Sequence, residues 1–140
     1  MKEEFILSGQ VIKGLGRGKT LGFPTINLRP EKGRIPTNGI YAVKCWHKHN
    51  EYYGVASIGY NPTFKDKEFS IEIYLFDFHK DILGEEIKVS FMKKLRDEKA
   101  FSKIENLIKR IQQDVQEAKE FFKRNDEKTG RKKIQAEQKG

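Results

Sequence analysis

The sequence predicts a mainly β protein: a six-stranded antiparallel Greek-key barrel with one long C-terminal α-helix packed on it. Three observations carry that expectation. Residues 5–95 fall into short runs rich in β-branched and aromatic residues. Gly, Pro and Asn punctuate the runs, with no helical pattern between them. From Ser102 onward the pattern changes to apolar residues at helical spacing.

The first run is FILSGQVIK (5–13). A glycine-rich stretch then leads into LGFPTINL (21–28), read as the second strand. GIYAVKCWH (39–47), YYGVASIG (52–59), FSIEIYLFDF (69–78) and IKVSFMKKL (87–95) complete the six. The intervening PEKGRIPTNG, KHNE, GYNPTFKDK and KDILGEE carry turn residues. Strands joined so closely pair antiparallel, and a sheet of this size must close or be covered to hide its edges. In the last segment Ile104, Leu107, Ile108, Ile111, Val115, Ala118 and Phe122 form one apolar face, which should pack on the barrel. Ser102 and Glu105 have capping-box spacing and set the expected helix start.

A chain of 140 residues suits one domain, expected over 1–124, with 125–140 as a basic disordered tail. Hydrophobic content of 36% against 34% charged residues marks a soluble globular class. No apolar run is long enough to span a membrane, and the opening MKEEFILSGQ lacks a signal-peptide core. Cys45 stands alone, so no internal disulfide is expected. These features predict a cytoplasmic protein with no membrane partner, and a monomer. His47, His49 and His79 make no zinc pattern with one cysteine and are expected at the surface. The net charge is +8, but residues 123–140 hold seven Lys/Arg against three Asp/Glu. A barrel for single-stranded nucleic acid would interleave aromatics with its cations. Here half of the charge gathers in the tail, so a small anionic partner is expected and nucleic acid is not.

The stretch GLGRGKTLGFPTINL (14–28) raises the first functional question, because GKT ends a nucleotide-binding P-loop. The P-loop needs a glycine at position 13, which is Lys13, and a helix after its Lys-Thr, where Pro24 follows instead. The stretch therefore reads as a glycine-rich loop running into a strand. Backbone N–H groups at Gly14, Gly16 and Gly18 can approach an anion without a helix, with Arg17 and Lys19 adding charge. On the strand, Thr25 and Asn27 lie two apart and share one side. Their neutral oxygens suit Mg²⁺, which takes few protein oxygens and keeps water and phosphate. The alternative is a flexible turn before a solvated edge strand. In FSIEIYLFDF, Phe69, Ile71, Ile73 and Leu75 share one face and Glu72 lies on the other, as a general base or as a solvated charge. At KKLRDEKAF (93–101), Arg96, Lys99 and Phe101 are either binding residues at a strand–helix junction or ordinary loop residues.

These pieces, in this order, resemble the riboflavin kinase (flavokinase) family. GQVIKGLGRGKTLGFPTINL is similar to the opening of that family, and GIYAV, SIGYNPTF, IEIYLFDF, LGEEIKVSF and LRDEKAF follow in its order and spacing. The likeness runs from about Gly9 to Phe122, with GRGKTLGFPTINL its most specific part. It implies a six-stranded barrel with a C-terminal helix. It implies transfer of the γ-phosphate of ATP to the ribityl 5′-hydroxyl of riboflavin, giving FMN and ADP. By resemblance, Gly14, Gly16, Arg17, Gly18 and Lys19 are on the nucleotide side. Thr25 and Asn27 match the family's metal and phosphate residues, with Mg²⁺, Zn²⁺ or Mn²⁺ as the ion. Glu72 matches the catalytic glutamate, and Arg96, Lys99 and Phe101 match flavin-side positions. Tyr74 stands where the family usually has histidine, and Leu83 where it usually has an aromatic; both are expected beside the nucleotide. Four residues precede the first strand, so the expectation is a kinase unit alone, without the adenylyltransferase domain of bacterial relatives, either a stand-alone kinase or an excised half. A non-catalytic flavin- or nucleotide-binding barrel is the other reading of the same residues.

Overall fold

The computed structural model describes residues 5–63 and 68–128. Strands β1 (Phe5–Ile12), β2 (Ile26–Gly33), β3 (Gly39–His47), β4 (Asn50–Gly59), β5 (Ser70–Leu75) and β6 (Glu86–Arg96) close into an antiparallel barrel in the order β1-β2-β5-β4-β3-β6. A one-turn helix, α1 (Arg17–Thr20), lies between β1 and β2, and a long helix, α2 (Ile104–Lys128), follows β6. The architecture is the mainly β barrel with a C-terminal helix that the sequence predicts.

Alternation fills the barrel. Leu7 and Val11 of β1, Ile71 and Ile73 of β5, and Val89 of β6 point inward and are buried. On β3 both faces are covered, because Tyr41, Val43 and Cys45 face the interior while Ile40 and Ala42 face α2. That double burial is why GIYAV is an unbroken apolar run with little alternation. Burial also pushes the Cys45 thiol up to about 12, so it stays protonated and packs as a small apolar group.

Helix α2 lies against β3, β4 and β6 on the outside of the barrel. Ala118 and Phe122 are buried in that seam with Ile40, Ala42 and Val55. Phe122 stacks on Tyr53 with ring centroids 4.1 Å apart and planes 6° from parallel. Lys93 lies over the Phe121 ring and Lys119 over Phe76, so the seam is edged by cations on aromatic faces.

The barrel is narrowest in its pairing between β2 and β5, where the ladder consists of Ile26 with Ile73 and Asn27 with Glu72. Beyond Asn27 strand β2 continues, among the described residues, along β1 alone, through a bulge at which Gly9 pairs with Pro30 and Ser8 with Lys32. Glu31 is the extra residue, and a proline there removes no β2–β5 hydrogen bond.

Five expectations need correction. A helical turn does occur in the glycine stretch, at Arg17–Thr20, although Leu21 ends it before Phe23 and Pro24 can clash with it. Helix α2 starts at Ile104 instead of Ser102, because the Lys103 carbonyl accepts the first intrahelical bond from the Leu107 N–H at 3.3 Å; Ile104 is then 42% exposed and outside the apolar face. The same helix runs past the expected boundary at 124 to Lys128, with the Tyr53 hydroxyl donating to the Asp126 carboxylate at 3.4 Å; residues 129–140 of the expected tail lie outside the described residues. Strand β5 ends at Leu75, and Phe69 precedes it with its ring 43% exposed. His47 is buried at 4% exposure, because it continues the inward series Tyr41, Val43, Cys45 to the end of β3.

The stacked, buried ring of Phe122 should dominate the docking of α2. Phe122→Ala is expected to lower the unfolding free energy by about 3–4 kcal/mol in a urea titration. A loss under about 1 kcal/mol would show that other contacts hold the helix.

Candidate functional site

Glu72 occupies the short seam between β2 and β5, paired in register with Asn27 on one side and with Ser57 on the other. Alternation turns its side chain away from the core side chains Ile71 and Ile73. Both carboxylate oxygens are engaged. The Thr25 hydroxyl donates to Oε1 at 3.0 Å and the Ser70 hydroxyl donates to Oε2 at 3.0 Å. Two donors from separate strands or strand ends fix the plane of the carboxylate while leaving lone pairs open toward the cleft.

Two clefts meet at this point, and Thr25 lines both. The first opens between the barrel mouth and α2. Glu72, Ser57 and Lys99 give it polar groups, and Phe23, Val55 and Ile111 give it apolar walls. The second lies between the glycine stretch and the loop before β6. Gly14, Gly16, Lys19 and Asn27 form one wall, and Lys80 and Leu83 belong to the other. Lys13 also lines it, so three lysines and one carboxylate, Asp81, give the cleft a net positive lining. That charge suits an anion, while the first cleft suits a flat apolar molecule with a polar end.

Two glycines allow this convergence. A Cβ on Gly14 would overlap the Asn27 amide, and a Cβ on Gly18 would overlap the Phe23 carbonyl and press on Thr25. The glycine stretch can therefore lie directly on the Thr25–Asn27 segment. Strand β2 begins at Ile26, so Thr25 sits at its entrance and Asn27 is its second residue.

The predicted site residues thus come together with some rearrangement. Gly14, Gly16, Lys19 and Asn27 line the second cleft, while Arg17 and Gly18, expected on the nucleotide side, line the first. Tyr74 and Leu83 were both expected beside the nucleotide. Tyr74 instead lines the first cleft, edge-on to Phe23 at 5.4 Å, and Leu83 lines the second. Lys99 lines the first cleft, with its ammonium 5.6 Å over the Phe101 ring. The Phe101 N–H donates to the Thr63 hydroxyl at 3.1 Å, and Phe101 lines neither of these two clefts. Among the described residues no three His, Cys, Asp or Glu gather as a metal cluster. The Thr25 hydroxyl lies on the Glu72 carboxylate and Asn27 pairs in register with Glu72, and the hard oxygens of Thr25 and Asn27 fit a divalent ion retaining water and phosphate ligands.

Arg96 lines the first cleft but is tied down there. Its Nε and Nη2 donate to the two oxygens of Asp114 at 2.8 Å each, and Nη1 donates to the Asp97 carbonyl at 3.0 Å. Arg110 donates to the same carboxylate at 3.2 Å. Asp114 is 2% exposed and was missed in the sequence. The available signal was its place in the apolar stripe, three residues after Ile111 and four before Ala118. Ser70 was missed as well, although it stands two before Glu72 on the same face.

Residues 1–122 match the family model described as Flavokinase: Riboflavin kinase. The bifunctional riboflavin kinase/FMN adenylyltransferase of Listeria monocytogenes is 44% identical over 120 residues, which are 84% of this chain and 38% of that protein. The RNA-binding riboflavin kinase RibR of Bacillus subtilis is 42% identical over 111 residues, 79% of this chain and 48% of that one. This chain thus spans less than half the length of either relative. Among solved structures, one described as a macrolide-efflux protein from Streptococcus pneumoniae superposes with a TM-score of 0.69 at 34% identity, over 78% of this chain and 36% of that one. Riboflavin kinase from Trypanosoma brucei superposes with a TM-score of 0.58 over 87% of this chain and 82% of that one; at 20% identity the likeness is one of fold.

The Asp114 cluster should matter for stability. Asp114→Ala strands two guanidinium groups beside the helix, and should cost about 2–3 kcal/mol, since breaking a buried pair typically costs about 3–5 and both arginines keep some access to water. Thermal melts should show the loss, and an unchanged melting temperature would mean that solvent satisfies both arginines.

Proposed function

The chain belongs to the riboflavin kinase family, and from that membership we propose that it transfers the γ-phosphate of ATP to the 5′-hydroxyl of riboflavin, yielding FMN and ADP. One observation supports this reading above the rest. A carboxylate held by two hydroxyl donors stands where an apolar cleft meets a cationic one.

Phosphoryl transfer needs alignment and charge neutralisation more than covalent help. In this reading the phosphates of ATP lie in the second cleft, against the backbone of Gly14 and Gly16 and near Lys19. Thr25 and Asn27 would hold a divalent ion there, their hard oxygens suiting Mg²⁺ with water and phosphate completing its shell. When bound, the ion supplies positive charge to the phosphate oxygens. The isoalloxazine ring occupies the first cleft between Phe23, Val55 and Ile111, leaving the ribityl chain to reach the junction. Lys99 serves that cleft directly, Phe101 serves it only as the ring under the Lys99 ammonium, and Arg96 serves it indirectly by anchoring α2. Glu72 takes the proton of the 5′-hydroxyl as the new O–P bond forms. Ser70 and Thr25 keep its carboxylate in one orientation, so little is lost to reorganisation.

Incubation with riboflavin, ATP and Mg²⁺ tests the reading, with FMN detected by chromatography. Flavin binding without FMN would favour a non-catalytic binding barrel, the second reading of the same clefts. Glu72→Gln keeps the shape of the side chain but takes up no proton. This variant should bind riboflavin and ATP within about twofold of normal and lose on the order of a hundredfold or more in kcat. Loss of flavin binding together with turnover would make Glu72 a positioning residue instead. Thr25→Ala and Asn27→Ala should each raise the Mg²⁺ requirement strongly while flavin binding, followed by quenching of riboflavin fluorescence, stays near normal. Normal turnover at limiting Mg²⁺ in either variant would remove the metal assignment.

A further inference from the structure

His47 is a buried histidine with no part in the reaction proposed above. Its Nε2 lies 2.6 Å from Oε1 of Glu85, and its Nδ1 is buried without a hydrogen-bond partner among the described residues. A carboxylate accepts, so in the neutral ring Nε2–H donates and Nδ1 is left as an unused acceptor. Leaving such a nitrogen unsatisfied is unfavourable. The sequence nevertheless places a histidine where Val43 and Cys45 mark an apolar inward series.

Glu85 closes the loop that precedes β6, and that loop walls the second cleft through Lys80, Asp81, Ile82 and Leu83. Its last turn is tight. The Glu85 N–H donates to the Ile82 carbonyl at 2.9 Å, and Gly84 between them has φ +87°, the left-handed geometry that a type II turn needs at its third position. From one side β1 holds this turn. Gly84 N–H donates to the Val11 carbonyl and Val11 N–H to the Glu85 carbonyl, each at 2.8 Å, and the Gln10 amide donates to the Gly84 carbonyl at 3.1 Å. In the barrel β6 lies between β1 and β3. The His47–Glu85 bond is the tie from the β3 side, and Lys48, in the turn that follows β3, adds an ammonium 4.0 Å from the same carboxylate oxygen.

We propose that His47 is a positioning residue for the nucleotide cleft: through Glu85 it braces the Lys80–Glu85 loop from the β3 side, so that this wall keeps its distance from the glycine stretch. The inference rests on reading the second cleft as the nucleotide side. His47 itself touches neither reactant in that reading. The His47 hydrogen bond holds the Glu85 carboxyl below its usual range, with Lys48 adding to the effect and Asp81 opposing it. The carboxylate acceptor is therefore present at neutral pH, and the brace is lost as acid protonates it.

Glu85→Ala is the primary test, because the Glu85 side chain is 42% exposed and its removal takes no apolar side chain from the core. Three quantities are read: ADP affinity by calorimetry, KM for ATP and for riboflavin in FMN formation, and hydrogen exchange at the Leu83, Gly84 and Glu85 amides. In Glu85→Ala the ADP dissociation constant and the KM for ATP should rise roughly five- to tenfold, since a bond to a charged group is being removed. KM for riboflavin and kcat at saturation should stay within about twofold, and exchange at the three amides should quicken. Glu85→Gln keeps an acceptor oxygen and should restore most of the affinity. His47→Phe, which keeps a buried ring and removes the donor, should match Glu85→Ala, and the double variant should be no worse than either alone. ADP binding that is normal in Glu85→Ala overturns the brace, whatever the exchange rates. Absence of ADP binding in the unaltered protein instead overturns the nucleotide reading of the cleft, which the exchange data distinguish.

Discussion

The meeting of the two clefts depends on the two-pair seam between β2 and β5. A barrel closes only if every strand finds two neighbours, and here the last closure is made with the least ladder possible. Ile26 and Ile73 supply the apolar half of that closure, and Ile73 is fully buried. Asn27 and Glu72 supply the polar half on the opposite face. A longer seam would have carried β2 away beside β5 and filled the junction with backbone. Because the ladder stops after two pairs, Thr25 and the glycine stretch turn onto the Glu72 carboxylate.

The two clefts divide the chemistry by environment. One is walled by aromatics and aliphatics from the barrel and α2, the other by glycines, three lysines and Asp81 over a partly apolar base. Thr25 belongs to both, which places a single hydroxyl at the boundary between apolar and ionic surroundings. Helix α2 is part of the first cleft as well as a cover for the barrel. The Asp114–Arg96 pair fixes its height on the sheet, so the packing that stabilises the fold also sets the width of that cleft.

Much of this was legible in the sequence, because period-two alternation and helical spacing are local signals. Glu72 was readable as a carboxylate on the outward face of FSIEIYLFDF. Its hydroxyl partner Thr25 was not, since it is 47 residues distant and the contact exists only once β2 meets β5. Asp114 was readable in principle, as a charge inside an apolar helical stripe. His47 was readable too, as the fourth member of the inward series begun by Tyr41, but a histidine at a strand end is ordinarily solvated. The α2 start was misread because the Ser102 capping signal is local, and the chain leaving β6 delivers Lys103 to the cap position instead. The helical turn at Arg17–Thr20 escaped notice because Pro24 forbids a long helix and says nothing against a short one.

The unequal pairing of β2 has a bearing on how this protein behaves at high concentration. From Leu28 to Gly33 the strand is laddered to β1 along one side, and β5 has already parted from the other. Such a margin is a template onto which a foreign strand can add, the first step of sheet-to-sheet aggregation. In this segment Arg29, Pro30, Glu31 and Lys32 are all exposed, and Glu31 bulges out of register. Three charges of mixed sign, an irregular pitch and an imino acid with no N–H make the margin a poor partner for any incoming chain. The strand that parts from β5 beside Glu72 thus carries its own protection against an incoming chain on the stretch that follows.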